Sequence, residues 1–582
     1  MRHTQSTFIR SSTLLALSAI ALASQMAIAQ TAPQIQDAAR QGDLLLRQEQ
    51  ERLRFEQERA RRLQAPSGVD LKQALPRADA SKAAGACHNV SVISLKGAEW
   101  IDEDDQQALT SGFKGRCLGV PDIEKLMGQV TQHYMERGFS TTRAYLPAQD
   151  LSRGKLELLV VEGRIERLVV DGDPENRVNL AMTVPARAGD LLNIRDLEQA
   201  VDQINSVSAN KVKLDILPGS APGKSVVMFR NVAGNPVGLQ LSADNQGSAA
   251  TGRNSASATV TMGGLLGLNE NISFTYRSST PHDAAASSDS TSLGLTIPSG
   301  YATYGASVSV SNYSTGLVTD TGLKMVSNGQ STTMGLTAER VIARDQDSRH
   351  SVTAALTSTE GKNFLDTGNL HNFLQVSSRR ATSLAAGLKS TQTLGGGMLS
   401  LKPEVVVGLN DMGNLPAGVN SASTGPQAEF TKITADVNYD KRFELLTQDW
   451  GWTSVFKGQY SASELLGSQQ ILIGGIPSIR GFVTNVISGD SGYYWRNELA
   501  LHKQLDLGGT AVKAKLYAGY DTGYVSSHST TGGNGRLSGV VMGLSTQIKA
   551  ATVDLSWTRA NSLPDGMTRE AAQTWVRVSF SL

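Results

Sequence analysis

Between residues 511 and 524 the chain alternates position by position. Ala511, Lys513, Lys515, Tyr517, Gly519, Asp521 and Gly523 share one face, and Val512, Ala514, Leu516, Ala518, Tyr520, Thr522 and Tyr524 the other. A period of two with one polar and one apolar face predicts a β-strand between water and a greasy environment. The alternation recurs at Val553, Leu555 and Trp557 against Asp554 and Ser556, and at Val576, Val578, Phe580 and Leu582. From residue 234 onward Gly, Ser and Thr rise and helical periodicity disappears. Residues 234–582 allow about 16 strands at roughly 20 to 22 residues per strand and connection. An even count lets an antiparallel membrane β-barrel close with both ends on one side. A soluble sandwich is the competing reading of the same alternation.

Upstream the period changes. Residues 87–233 read as two tandem α/β modules, 87–164 and 165–233. The first has an apolar segment at Val90–Leu95 and a helix with Ile123, Leu126, Met127, Val130 and Tyr134 on one face. Strand-like segments Thr142–Leu146 and Lys155–Val161 close it. The second runs Ile165–Val170, a helix with Leu197, Ala200, Val201 and Ile204, then Val212–Leu217 and Ser225–Phe229. Residues 64–86, with Pro66, Gly68, Pro76 and many Ala, read as a linker. Before it, within 30–63, the run 42–63 is rich in Glu, Gln, Arg and Leu and free of Pro, which predicts a helix. Its apolar residues are too few to bury a wide face. It is either a solvated helix or one that sits inside a wet, polar cavity.

The start of the chain adds a destination. Basic Arg2 and Arg10, the apolar stretch Leu14–Ala23 and Ala27-Ile28-Ala29 form a tripartite export signal over 1–29. Outside the cytosol Cys87 and Cys117 are expected to be bridged. With His88 beside them they are still one ligand short of a structural metal site, so no metal or cofactor is expected. The whole chain carries 54 Lys plus Arg against 53 Asp plus Glu, which argues against nucleic acid as a partner. No apolar run is long enough for a membrane-spanning helix.

Two enzyme-like motifs fail on chemistry. Gly489-Asp490-Ser491-Gly492 looks like a serine-protease nucleophile segment, but no matching His segment precedes it. Asp-Thr-Gly at Asp320, Asp366 and Asp521 is followed by Leu323, Asn369 and Tyr524, not by the hydroxyl residue that orients an aspartic-protease pair. No phosphate loop or zinc signature occurs. The chain is not expected to be an enzyme.

Several segments together resemble the outer-membrane transporters of bacterial two-partner secretion, the haemolysin and filamentous-haemagglutinin exporters. Thr141-Thr142-Arg143-Ala144-Tyr145-Leu146-Pro147 with Val161-Glu162-Gly163-Arg164-Ile165 is similar to the end of that family's first polypeptide-transport-associated (POTRA) module. Pro218-Gly219-Ser220-Ala221-Pro222-Gly223-Lys224-Ser225 is similar to the end of the second. Asp244-Asn245-Gln246-Gly247 with Thr251-Gly252 resembles the opening barrel strand and turn, and Ile479-Arg480-Gly481-Phe482 the tip of an inward-folded loop, near 467–489. Gly489-Asp490-Ser491-Gly492-Tyr493 with Arg496-Asn497-Glu498-Leu499 resembles the strand after it. One departure is the terminal residue, Leu582, where such barrels usually end in an aromatic.

The resemblance implies a 16-stranded barrel in the outer membrane of a Gram-negative bacterium, POTRA modules in the periplasm, and the helix of 30–63 as a lumen plug. It implies an unfolded secreted partner such as an adhesin, haemolysin or contact-dependent toxin, outer-membrane lipid around the barrel, and barrel-assembly machinery for insertion. It also implies that Arg480 pins the loop to the wall through Asp521. An outer-membrane assembly factor and a passive porin are the alternatives. The first commonly has more modules and lacks the helix, and the second does not need periplasmic modules.

Overall fold

The structure, a computed structural model, describes residues 87–582 apart from 174–176, 208, 319–323, 367–372, 410–427 and 530–532, together with Leu44, Gln48, Glu51 and Arg52. The export signal over 1–29, the linker over 64–86, Asp320 and most of the 30–63 helix lie outside the described residues. Leu44, Gln48, Glu51 and Arg52 are helical.

The two α/β modules share one topology. In the first, Val92–Lys96 runs parallel to Lys155–Val161, which pairs antiparallel with Arg143–Tyr145. In the second, Arg164–Asp171 runs parallel to Lys224–Asn231, which pairs antiparallel with Val212–Pro218. Each sheet is covered by helices whose apolar positions recur at helical spacing. Ile123, Leu126, Val130 and Tyr134 of Val120–Glu136 pack on Leu156, Leu158 and Val160. Leu197, Ala200, Val201 and Ile204 of Ile194–Asn205 pack on Val227 and Phe229. The same solution thus appears twice in sequence.

Cys87 and Cys117 are joined by a disulfide, with Cα atoms 5.2 Å apart. It flanks the short pair His88–Val90 and Arg116–Leu118, and so fastens the start of the module to the residue ahead of its long helix. Closing a loop of this length removes unfolded-state entropy worth about 3 to 4 kcal/mol. Cys87→Ala with Cys117→Ala should therefore lower the urea midpoint of the first module substantially. An unchanged midpoint would mean the bond adds nothing to stability.

From Val237 to Ser581 sixteen antiparallel strands close a barrel. The last, Gln573–Ser581, pairs with the first, Val237–Asp244. Leu516, Tyr520 and Tyr524 of Thr510–Ser526 are exposed on the outside while Tyr517, Asp521 and Val525 are buried within, as the alternation requires. Val553, Leu555, Trp557, Val576 and Phe580 are also exposed. An apolar outer wall of this kind is stable only in lipid. Among the described residues no helix is long and apolar enough to cross a membrane.

The second module is bolted to the near rim of the barrel by polar contacts. Asn179 Nδ2 donates to Gly267 O at 2.9 Å, and Gln203 Nε2 to Gly300 O at 3.0 Å. Tyr301 donates to Asp196. Arg344 donates to Gln199 Oε1 at 2.8 Å and to Asp202 at 3.2 Å. One face of the helix Ile194–Asn205 thereby holds two successive turns of the barrel.

Candidate functional site in the barrel lumen

Between strands Gln448–Ser461 and Ser491–Leu507 the chain leaves the far rim and folds back into the barrel as a narrow hairpin. Ile471–Ile473 pairs antiparallel with Ile487–Gly489. Its apolar residues face the wall, where Ile473, Ile479 and Phe482 form a buried cluster with Val525, Leu537 and Ala560. Burial of these side chains stabilises the inserted loop by about 1.5 to 3 kcal/mol each.

The tip is held by one buried guanidinium. Arg480 donates from Nε to Asp521 Oδ2 at 2.7 Å and from Nη2 to Oδ1 at 2.8 Å, a two-pronged contact. Its backbone N–H also reaches Asp521 Oδ2, at 3.0 Å. A third prong, Nη1, meets Glu498 Oε2 at 2.7 Å, and Lys515 Nζ donates to the other oxygen of Glu498 at 2.6 Å. Arg480 is 6% exposed and Asp521 0%, so each charge depends on its partners.

Glycines make the approach possible. Gly481 has φ +112°, and a side chain there would also strike the backbone of Arg559. A Cβ on Gly539 in the facing wall would stand 1.9 Å from the Arg480 carbonyl oxygen. Gly539→Ala should therefore push the tip off the wall while the strand still pairs. The measurable outcome is a higher, noisier channel conductance in planar bilayers, and a wild-type trace would show that the tip accommodates the methyl.

The loop is fastened at two further places. Buried Asp490, at its root, accepts from Leu465 N at 2.8 Å, Gln470 Nε2 at 3.0 Å, Ser527 Oγ at 3.1 Å and His528 N at 2.7 Å. This is a structural acceptor with its lone pairs filled. On the returning arm, Glu570 accepts from the backbone N–H of Val483, Thr484 and Asn485 at 2.9, 3.1 and 2.7 Å.

A second charged knot joins the helix to the barrel. Asp244 ends the first strand and accepts from Arg277 Nη2 at 3.0 and 2.9 Å. Arg52 of the N-terminal helix donates to the same carboxylate at 2.7 Å and to Ser255 at 3.2 Å. Gln48, Glu51 and Arg52 line one cavity with Gly474, Ile476 and Pro477 of the loop, so helix and loop tip stand side by side. Asn245 beside the knot bridges the closing seam, donating to Thr574 O at 3.0 Å and accepting from Val576 N at 2.8 Å. Gly247 lies so close to Gly252 O that a Cβ would be 2.0 Å away, and buried Thr251 completes this first turn.

The other residues singled out from sequence lie elsewhere. Gly492 packs against the backbone of Tyr524, and Asn497 sits on the outer face, accepting from Ser454 Oγ at 3.0 Å. Arg496 faces the lumen and donates to Ile476 O at 3.2 Å and Pro477 O at 3.0 Å. In the first module Thr142 is buried and accepts from Gly163 N at 3.1 Å, while Arg143 donates to Ser140 O and Thr142 O at 2.8 Å each. Tyr145 is exposed. Neighbouring Glu162 accepts from Trp100 N at 2.8 Å and Tyr134 OH at 2.7 Å. Burial, then that carboxylate, pushes the Tyr134 phenol well above its ordinary pKa.

The segment Pro218 to Ser225 makes the joint between modules. Gly219 N donates to Lys224 O at 2.8 Å, and Gly223 O accepts from Arg164 N at 2.7 Å. Ser220, between Gly219 and Pro222, donates from N and Oγ to Glu166 and holds that carboxyl below the usual range. Ser225 is buried in the sheet.

Sequence reasoning did not find Arg52, Arg277, Glu570 or the role of Glu498. Only Glu498 left a signal, since it shares a strand face with Arg496 two residues away.

Comparison with known proteins agrees with this arrangement. Residues 223–546 match the family model of the haemolysin secretion/activation proteins ShlB/FhaC/HecB. Residues 88–163 match a ShlB-type POTRA domain, and 164–218 a second POTRA domain. The chain is 33% identical to the outer membrane transporter CdiB of Dickeya dadantii, over 76% of this chain and 78% of that one. To the hemolysin transporter protein ShlB of Serratia marcescens it is 28% identical, over 96% and 95%. The solved structure of CdiB from Escherichia coli superposes with a TM-score of 0.83 at 27% identity, covering 93% of this chain and 99% of that one. With its two POTRA modules, its sixteen-stranded barrel and these matches, the chain belongs to the ShlB/FhaC/HecB family of two-partner-secretion transporters of the outer membrane.

Proposed function

We propose that this transporter exports one large partner protein, unfolded, from the periplasm through the barrel to the cell surface. The observation that carries the reading is a lumen filled by two separable elements, each tied to the wall by charge. The loop is tied through Arg480 and Asp521, the helix through Arg52 and Asp244. Charged groups released into a water-filled lumen can find new partners, which offsets part of the cost of lifting the loop's buried ion pair and apolar tip off the wall.

The POTRA modules capture the partner by adding its strand to a sheet edge. Arg143–Tyr145 and Val212–Pro218 each end a three-stranded sheet and offer such an edge. With charges nearly balanced, capture depends little on long-range steering. Lipid surrounds the apolar wall, barrel-assembly machinery inserts the chain, and nucleic acid has no part in the process. Relatives are named as CdiB and hemolysin transporters, so a contact-dependent toxin or a haemolysin heads the cargo classes, with an adhesin third. The chain performs no covalent chemistry. Co-expression with a large secreted protein encoded beside it tests the reading. The protein should reach the medium only when the transporter is present, and its release in the transporter's absence would overturn the assignment.

A further inference from the structure

Asp521 has two arginines beside it, and only one comes from the loop. In the hairpin of Ser491–Leu507 and Thr510–Ser526, Arg496 and Asp521 are direct cross-strand partners. Side chains so placed start about 4.5 to 5.5 Å apart at Cβ, and opposite charges there attract. Yet both Asp521 oxygens are taken by Arg480, and Arg496 instead braces the carbonyls of Ile476 and Pro477 at the loop tip.

The charges around the contact are arranged for two states. With the loop inserted, the cations Arg480, Arg496 and Lys515 face the carboxylates Glu498 and Asp521. With Arg480 gone, Arg496 and Lys515 face the same two carboxylates, one for one. The space is there as well. Gly519 has no side chain, and a Cβ on it would lie 2.9 Å from Arg480 Nη2, so the guanidinium lies over a bare wall position that its departure leaves open. A carboxylate left alone in a narrow lumen is costly. A planar guanidinium already opposite it removes that cost.

We infer that Arg496 is the exchange partner of Asp521. As the loop tip withdraws, Arg496 lets go of the Ile476 and Pro477 carbonyls and takes the carboxylate that Arg480 leaves. The cluster then passes from three cations over two carboxylates to two over two, no carboxylate is left without a cation, and the free energy of unlocking is lowered. The inference rests on the proposed reading of the loop as a movable lock.

The test follows exposure of the loop by maleimide labelling of Ser478→Cys, a buried tip position, in full-length protein in outer membranes. Exchange predicts that Arg496→Gln slows labelling by roughly tenfold, the scale of one charge-assisted hydrogen bond. Arg496→Lys should restore most of the rate, and Arg480→Ala should speed labelling. If Arg496 is only a brace, Arg496→Gln loosens the tip and speeds labelling as well, which overturns the exchange while leaving the lock intact. Unchanged labelling in Arg480→Ala overturns the lock and the exchange with it. Should Arg496→Gln insert poorly, the gel melting temperature of the barrel gives a second readout. Exchange predicts that Arg496→Gln added to Arg480→Ala lowers it by more than the two single effects together, and strict additivity contradicts it.

Discussion

Replacing Arg480 or Asp521 by Ala should lower secretion of the partner at least about tenfold, while the barrel still inserts and keeps its heat resistance. The size follows from the bonds lost. Truncating either member removes two charge-assisted hydrogen bonds of about 1.5 to 3 kcal/mol each from the inserted state. A bias of that size takes the loop from almost always inserted to mostly displaced. The sixteen strands do not need the pair, because their ladder is complete around the wall. Both residues serve one contact, so the double variant should be little worse than either single. Additive losses would mean that they act separately. Full secretion by Arg480→Ala would remove the tip from the mechanism. Arg480→Lys should behave nearly as badly as Ala, since an ammonium cannot reproduce the forked contact with Asp521 and the third prong to Glu498.

The second large effect separates two residues that share one carboxylate. Arg52→Ala should free the helix from the lumen and raise single-channel conductance, with barrel stability unchanged. Asp244→Ala should do this and also weaken the barrel, because Arg277 is then left buried without its paired oxygens. The expected cost is about 3 to 5 kcal/mol, read as a lower gel melting temperature. It falls beside the closing seam, where Gln573–Ser581 pairs with the first strand from Arg577 to Ser581 and Leu582 adds two backbone bonds to Leu239. Equal conductance in Arg52→Ala and wild type would place the helix outside the pore. A wild-type melting temperature in Asp244→Ala would show that the knot holds the helix alone. Deleting residues 30–63 should reproduce the conductance of Arg52→Ala.

Which features could be read beforehand follows from the range of the interactions. The strand pattern and the two module helices are local, set by periods of two and of 3.6, and so they are legible in Ala511–Tyr524 and in Ile123–Tyr134. Parity alone places Asp521 on the inner face, but its partner is not open to the same logic. The Gly508-Gly509 turn joins Leu507 to Thr510, and counting back along that hairpin sets Arg496 against Asp521, not Arg480. Only insertion of a loop from across the rim, suggested by family resemblance, replaces one arginine with the other. Arg277 and Glu570 lie further out of reach. Arg277 meets Asp244 across the intervening strand Ser255–Gly263, and Glu570 meets the loop arm only once the barrel has curled round. Arg52 stands in a run where Arg and Glu alternate, and nothing in that run marks it from its neighbours.

In the proposed export an unfolded partner passes through the space taken at rest by the loop and by the helix at Arg52. The most direct measurement puts a photocrosslinking residue at position 478, in the loop tip, and illuminates cells in which the partner is stalled by a folded domain fused to its C-terminus. A crosslink between the tip and the partner is expected, and its loss once the stalled chain is released. A partner that stalls on the POTRA modules and reaches the surface without ever crosslinking to the tip would contradict this route.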